Sequence, residues 1–112
     1  DVYKRQVEGM WRGVNVGGTS MLARLEGLDV CGKTGTAENP RGRDHSTFLS
    51  FAPKDNPKIA ISVYVENGGF GASAALPIAS LLEEYYLTDT IRRPVLLDYV
   101  RNMTINYPAY DR

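Results

Sequence analysis

The chain has 112 residues, 43% of them hydrophobic, with 13 basic and 13 acidic side chains and a formal charge of zero. A chain of this length forms one domain at most and buries roughly two-thirds of its unfolded surface. Balanced charge argues against the basic footprint of a nucleic-acid binder. The longest strongly apolar run, residues 59–65, falls far short of the roughly 20 residues that a membrane helix needs.

Cys31 is the single cysteine, so no internal disulfide can form. No initiator Met, signal peptide or lipidation motif is visible, and the expectation is a piece of a longer polypeptide. Asp1-Val2-Tyr3-Lys4-Arg5-Gln6 resembles a translated adapter. Residues 1–6 are therefore set aside as a non-native end, leaving a main unit at 7–87 and a tail at 88–112.

Val7, Met10, Trp11 and Val14 fall at i, i+3, i+4 and i+7, which predicts a first helix with one apolar face. Asn15 and Gly17-Gly18 break it. Thr19 or Ser20 is a candidate cap for a short second helix to about Leu25, with Met21, Leu22 and Leu25 inward. Gly27 ends it, and Leu28-Asp29 leads into the first strand.

That strand, Val30-Cys31-Gly32-Lys33-Thr34-Gly35-Thr36-Ala37, organises the rest. Val30 and Cys31 favour a pleated backbone. Gly32 and Gly35 remove side chains where another group must come close. Lys33, Thr34 and Thr36 form a ladder of cationic and hydroxyl donors, suited to a carboxylate or phosphate laid along a strand edge.

Residues 38–44 make a loop around Asn39-Pro40 and Gly42. Residues 47–52 read as the second strand, anchored by Phe48 and Phe51. Pro53 to Pro57 is a polar hairpin connection. In the third strand, residues 58–66, Ile59, Ile61, Val63 and Val65 share one face and Ala60, Ser62 and Tyr64 the other. A glycine-rich turn, residues 67–71, follows. Ser73 is the expected cap of a helix to about Leu87, with Ala75, Ile78, Ala79, Leu82 and Tyr86 buried and Glu83-Glu84 solvated. Pro94 opens a short helix carrying Leu96, Leu97, Val100 and Met103, and residues 107–110 read as an irregular tail. The short links favour an antiparallel meander with helices packed on it. The fold class is α/β (α+β).

Gly27 to Thr34 matches the phosphate-loop pattern G-x-x-x-x-G-K-T. That chemistry needs a buried strand before the first glycine and a helix starting at the lysine-threonine pair. Residues 21–26 read as helix, and Gly35, Asn39 and Pro40 oppose a helix after Thr34. Neither context is expected, and a phosphate-loop nucleotide-binding protein stays as the outside alternative.

Lys33-Thr34-Gly35-Thr36-Ala37 resembles the K-T-G-T strand motif of serine penicillin-binding proteins and their β-lactamase relatives. Further blocks agree in order: Gly18-Thr19, Asn39-Pro40, Asp44-His45, Phe51-Ala52-Pro53, and residues 65–71 followed by Ala75 and Pro77. Residues 7–87 are similar to the C-terminal portion of a class B penicillin-binding-protein transpeptidase domain. The resemblance implies an antiparallel sheet flanked by helices and peptidoglycan D,D-transpeptidation. It implies as partners D-Ala-D-Ala stem peptides and β-lactams, with no cofactor, no metal and no nucleic acid. It also implies a membrane-anchored full-length protein, associated with other cell-wall synthesis proteins, whose catalytic domain is extracytoplasmic.

By the same resemblance, Thr34 and Thr36 hold the ligand carboxylate, and the N–H of Thr36 is one oxyanion donor. Lys33 supplies positive potential and hydrogen-bonds the S-x-N serine, while Gly35 lets the ligand backbone lie against the strand. Lys33 and Thr36 are thus the catalytic candidates, with Thr34, Gly35 and Thr36 binding substrate. No serine is followed three residues later by lysine, and no S-x-N exists. The nucleophile and its base are missing, so the chain alone is expected to be inactive. A β-lactamase, a D,D-carboxypeptidase or a non-catalytic β-lactam sensor are the alternatives on this fold. His45, Cys31, Arg41 and Arg43 read respectively as a structural hydrogen-bonding residue, a core residue and a solvated turn. Trp11 and the seven tyrosines read as core, docking or tail residues.

Overall fold

The computed structural model describes residues 1–105, and the tail expected at 107–110 lies outside them. Helix α1 (Val2–Asn15) and a 3₁₀ turn (Met21–Ala23) precede strands β1 (Cys31–Ala37), β2 (His45–Ala52) and β3 (Ile59–Val65). Helices α2 (Ala75–Thr88) and α3 (Pro94–Arg101) follow. The strands form one antiparallel sheet in the order β1-β2-β3, the meander that the short links predict. Thr34 stands opposite Phe48, and Phe48 opposite Val63.

The pleat sorts the sheet into a covered and an open face. Ser46, Phe48, Ser50 and Ala52 alternate along β2 and are all buried. Leu49 and Tyr64, on the other face, are 53% and 57% exposed. On the covered side Phe48 and Ala52 meet Val14 of α1, Ala23, Leu25 and Val30, and Ala75, Leu76 and Ala79 of α2. Burying a side chain such as Phe48 or Leu76 is worth roughly 2–3 kcal/mol. Strand β2 begins two residues earlier than expected, at His45. Phe51 is only half-buried because its odd register places it on the open face.

Helix α1 extends back to Val2, where the Asp1 carboxylate accepts from the Tyr3 amide at 3.0 Å. The side chains of residues 1–6 are all exposed. The helix stops where Asn15 turns its amide onto the carbonyls of Trp11 (2.8 Å) and Val30 (2.9 Å). The expected second helix contracts to the 3₁₀ turn. With about three residues per turn its faces differ from an α-helix. Leu25 is buried as expected, but Met21 and Leu22 are exposed and Ala23 is buried in their place. Ser20 makes no side-chain capping bond, and its buried hydroxyl has no partner among the described residues.

Helix α2 departs furthest from expectation. It starts at Ala75, and Ser73 does not cap it. The Ala75 amide donates instead to the Ser46 hydroxyl of β2, at 2.9 Å. The buried arc is also rotated: Leu82 and Tyr86 are 52% and 63% exposed, whereas Glu83 and Glu84 are buried. The helix packs against the sheet on one side and the C-terminal segment on the other. Arg93 of that segment meets Glu84 at 3.2 Å and also donates to Leu22 O, Ser80 O and Ser80 Oγ. Asp89, in the left-handed region at φ 58°, closes α2 by donating to Tyr85 O. Pro94 opens α3, and its Leu96, Leu97 and Val100, with Met103 just beyond, are half-buried. No helix among the described residues is long and apolar enough to cross a membrane.

Candidate functional site: the open edge of the first strand

Strand β1 pairs only with β2 among the described residues, so its other edge is free. Its root is fixed. Val30 and Cys31 are fully buried, and the Ser50 hydroxyl donates to the Cys31 carbonyl at 2.8 Å. Burial pushes the Cys31 thiol up to about 11, so it stays a protonated core side chain. From Lys33 onward the strand emerges: Lys33 and Thr36 are exposed, and Thr34 and Gly35 are half-buried.

The structure brings the four motif residues together but does not leave them in one row. Thr34 and Thr36 lie on the helix-covered face, opposite Phe48 and Ser46. Lys33 and Gly35 lie on the open face, opposite Leu49 and Thr47. The donor ladder expected from spacing is therefore split by the pleat. The Lys33 ammonium donates to the Thr34 carbonyl at 3.0 Å. Hydroxyls of Thr34 and Thr19 lie 3.4 Å apart.

The glycine-rich turn after β3 presses on this strand. A Cβ on Gly71 would fall 2.6 Å from the Thr47 carbonyl and 2.7 and 2.8 Å from the Gly35 carbonyl and amide. Only a glycine allows that approach. Ser46 holds the turn in place: its hydroxyl lies 2.8 Å from the Phe70 carbonyl and 3.2 Å from that of Gly71, as well as receiving the Ala75 amide. Ser46 was not among the sequence candidates. Its signal was the run Ser46, Phe48, Ser50 at period two, which places hydroxyls on a buried face where each must find a partner.

His45 is structural here. Its Nδ1 accepts from the Asn67 amide at 3.0 Å, and its ring stacks on Tyr64 with centroids 5.4 Å apart. Asn39 ties the 38–44 loop to that corner through Asn67 Oδ1 (2.6 Å) and the Arg43 carbonyl (2.9 Å). Arg41 and Arg43 are exposed, and Arg43 lies against Gly69 beside a shallow cavity of about 280 Å³. Trp11 donates to Asp29 at 3.2 Å, and the Lys54 ammonium lies 5.3 Å from the centre of its ring. A larger cavity, about 590 Å³, lies between α3 and the start of α2, lined by Leu22, Pro77, Leu96 and Tyr99, and contains none of the motif residues. Among the described residues no cluster of His, Cys, Asp and Glu could hold a metal ion.

A free, extended edge with two exposed or half-exposed hydroxyls and a nearby ammonium can receive an anionic, peptide-like ligand in β fashion. No helix springs from Thr34, which removes the phosphate-loop alternative. Among the described residues this strand is the element that offers an unpaired backbone edge beside hydroxyl and ammonium groups. The family described as penicillin binding protein transpeptidase domain matches residues 2–82, and the chain belongs to that family.

Within it, the similarity is to class B members. The chain is 36% identical over 100 residues to the peptidoglycan D,D-transpeptidase MrdA of Haemophilus influenzae, covering 74% of this chain and 15% of that protein. The crystal structure of Pseudomonas aeruginosa PBP2 in complex with WCK 5153 superposes with a TM-score of 0.63 at 39% identity, over 73% of this chain and 18% of that one. The imipenem acyl-enzyme of penicillin-binding protein A from M. tuberculosis superposes with a TM-score of 0.62 at 34% identity, again over 73% and 18%. The chain thus spans less than a fifth of the length of these relatives.

Proposed function

We propose that the chain is the C-terminal portion of a serine-type peptidoglycan D,D-transpeptidase. In this reading a serine elsewhere in the full-length protein attacks the D-Ala-D-Ala carbonyl, releases D-alanine and passes the acyl group to an amine of a second stem peptide. The observation that carries the reading is β1 itself, which continues extended through Lys33–Ala37 with a free edge. Thr34 and Thr36 receive the substrate carboxylate, and the N–H of Thr36 helps hold the oxyanion. A preorganised donor of that kind is typically worth roughly 10²–10³ in rate. Gly35 keeps the strand surface low enough for a peptide backbone to lie alongside. Lys33 adds positive potential and reaches for the S-x-N serine, exchanging its present bond to the Thr34 carbonyl for that contact.

The imipenem acyl-enzyme structure of a relative supports β-lactams as ligands of the full-length protein. No S-x-x-K or S-x-N lies in the 112 residues, so the chain alone is inactive. The full-length protein is membrane-anchored with this domain outside the cytoplasm. A fluorescent penicillin tests the proposal: the full-length protein forms a covalent adduct, lost with Thr36→Pro, which deletes the oxyanion N–H. A full-length protein that hydrolyses penicillin with rapid turnover would instead be a β-lactamase.

A further inference from the structure

Thr19 lies 15 residues before Thr34, yet the two hydroxyl oxygens are 3.4 Å apart. The position is built rather than casual. A side chain on Gly18 would run into the backbone of Gly13, so Gly18 packs directly on the last turn of α1. On the other flank, the Ser20 amide donates to the Gly13 carbonyl at 3.1 Å. Thr19 is therefore gripped on both sides by one residue of α1. Gly13 in turn lies against β1, where a Cβ on it would sit 3.6 Å from the Gly32 carbonyl. Backbone packing among three glycines sets the distance from Thr19 to Thr34. Thr19 itself is exposed, so its hydroxyl remains open to a ligand.

A hydroxyl has one proton to give and two lone pairs. If Thr34 gives its proton to Thr19, it has none left for an anion. A carboxylate beside Thr34 reverses the pair: Thr34 turns its proton to the ligand, and Thr19 donates into the freed lone pair. Hydrogen bonds in such a chain polarise and strengthen one another. We infer that Thr19 is a positioning residue of the carboxylate subsite, donating to Thr34 Oγ1 and strengthening the Thr34 hydrogen bond to the terminal carboxylate of a stem peptide or β-lactam. This inference rests on the transpeptidase reading above.

The test uses the full-length protein and two probes, benzylpenicillin and its methyl ester, which lacks the negative charge. The readout is the second-order rate constant for acylation. Thr19→Val keeps the shape and removes the donor. It lowers the benzylpenicillin rate constant by about twofold to tenfold, the range for one hydrogen bond between uncharged groups. The ester is affected less, and Thr19→Ser restores most of the loss. Equal slowing of both probes assigns Thr19 a purely structural role and overturns the inference, as does an unchanged rate with benzylpenicillin. Failure of the wild-type protein to form any adduct overturns the transpeptidase reading itself.

Discussion

Replacing Ser46 with alanine removes the acceptor for the Ala75 amide and the donor to the Phe70 carbonyl in one step. Both groups are then left without that partner under the sheet, and a lost helix cap typically costs about 1–2 kcal/mol. Ser46→Ala in the full-length protein should lower the unfolding midpoint in urea accordingly. Ser73→Ala, at the cap position that spacing suggests, should shift stability by less than about 0.5 kcal/mol, because its side chain caps nothing. A larger loss for Ser73 than for Ser46 would contradict the assignment. Gly71→Ala makes a sharper claim. Its Cβ would lie 2.6 Å from the Thr47 carbonyl and within 2.8 Å of Gly35, so the turn must lift off β1. The expected outcome is a loss of about 1–3 kcal/mol together with slowed penicillin acylation, since Gly35 moves with it. The glycine itself was visible in the sequence. Its contact with Gly35 was not, because no local pattern reports which backbone a turn will land on.

At the level of elements, α2 carries two carboxylates into the interior, and each has its own physical account. Glu84 is compensated by the Arg93 guanidinium, whose four hydrogen bonds join α2, the 3₁₀ turn and the C-terminal segment. Arg93→Lys should recover little of the stability lost in Arg93→Ala, about 2–3 kcal/mol by thermal unfolding, because a point charge cannot replace a planar fork. Glu83 has no such partner, and its Oε1 lacks any hydrogen bond among the described residues. Burial pushes its carboxyl up to about 7, with the Ser50 hydroxyl pulling weakly the other way. The folded chain therefore binds this proton more tightly than the unfolded chain does. Its contribution is complete below the ordinary carboxyl value of 4.5 and is lost as pH rises through about 7. The fall should be on the order of 2–3 kcal/mol between pH 4.5 and 8, and Glu83→Gln should flatten that part of the stability profile. An unchanged slope in the variant would show that Glu83 is ionised when folded. Amphipathic spacing placed both glutamates in solvent, since it weighs charge against a single apolar face. It carries no information about a second partner arriving from residue 93.

For the molecule as a whole, helices cover one face of the sheet and leave the other open. The open face presents Leu49 and Tyr64, and the covered one takes in Ile61, Val63 and Val65. The exposed Leu49 and Tyr64 belong to a chain that spans 15–18% of the length of these relatives. Consistent with that, the isolated 112 residues should form no covalent adduct with labelled penicillin at any concentration at which the full-length protein is fully labelled. An adduct on the isolated chain, located by mass spectrometry, would reveal a nucleophile within it.

By itself the sequence determined the meander, the extended character of residues 31–37 and the family. Period-two alternation, turn residues and the K-T-G-T run are written in neighbouring positions, and backbone sterics act at that range. Tertiary structure alone decided that Ser46 caps a helix 29 residues away, that Thr19 meets Thr34, and that Arg93 reaches Leu22 across 71 residues. Buried polar groups must find partners wherever the packed backbone brings them, and that meeting is a property of the assembled layers.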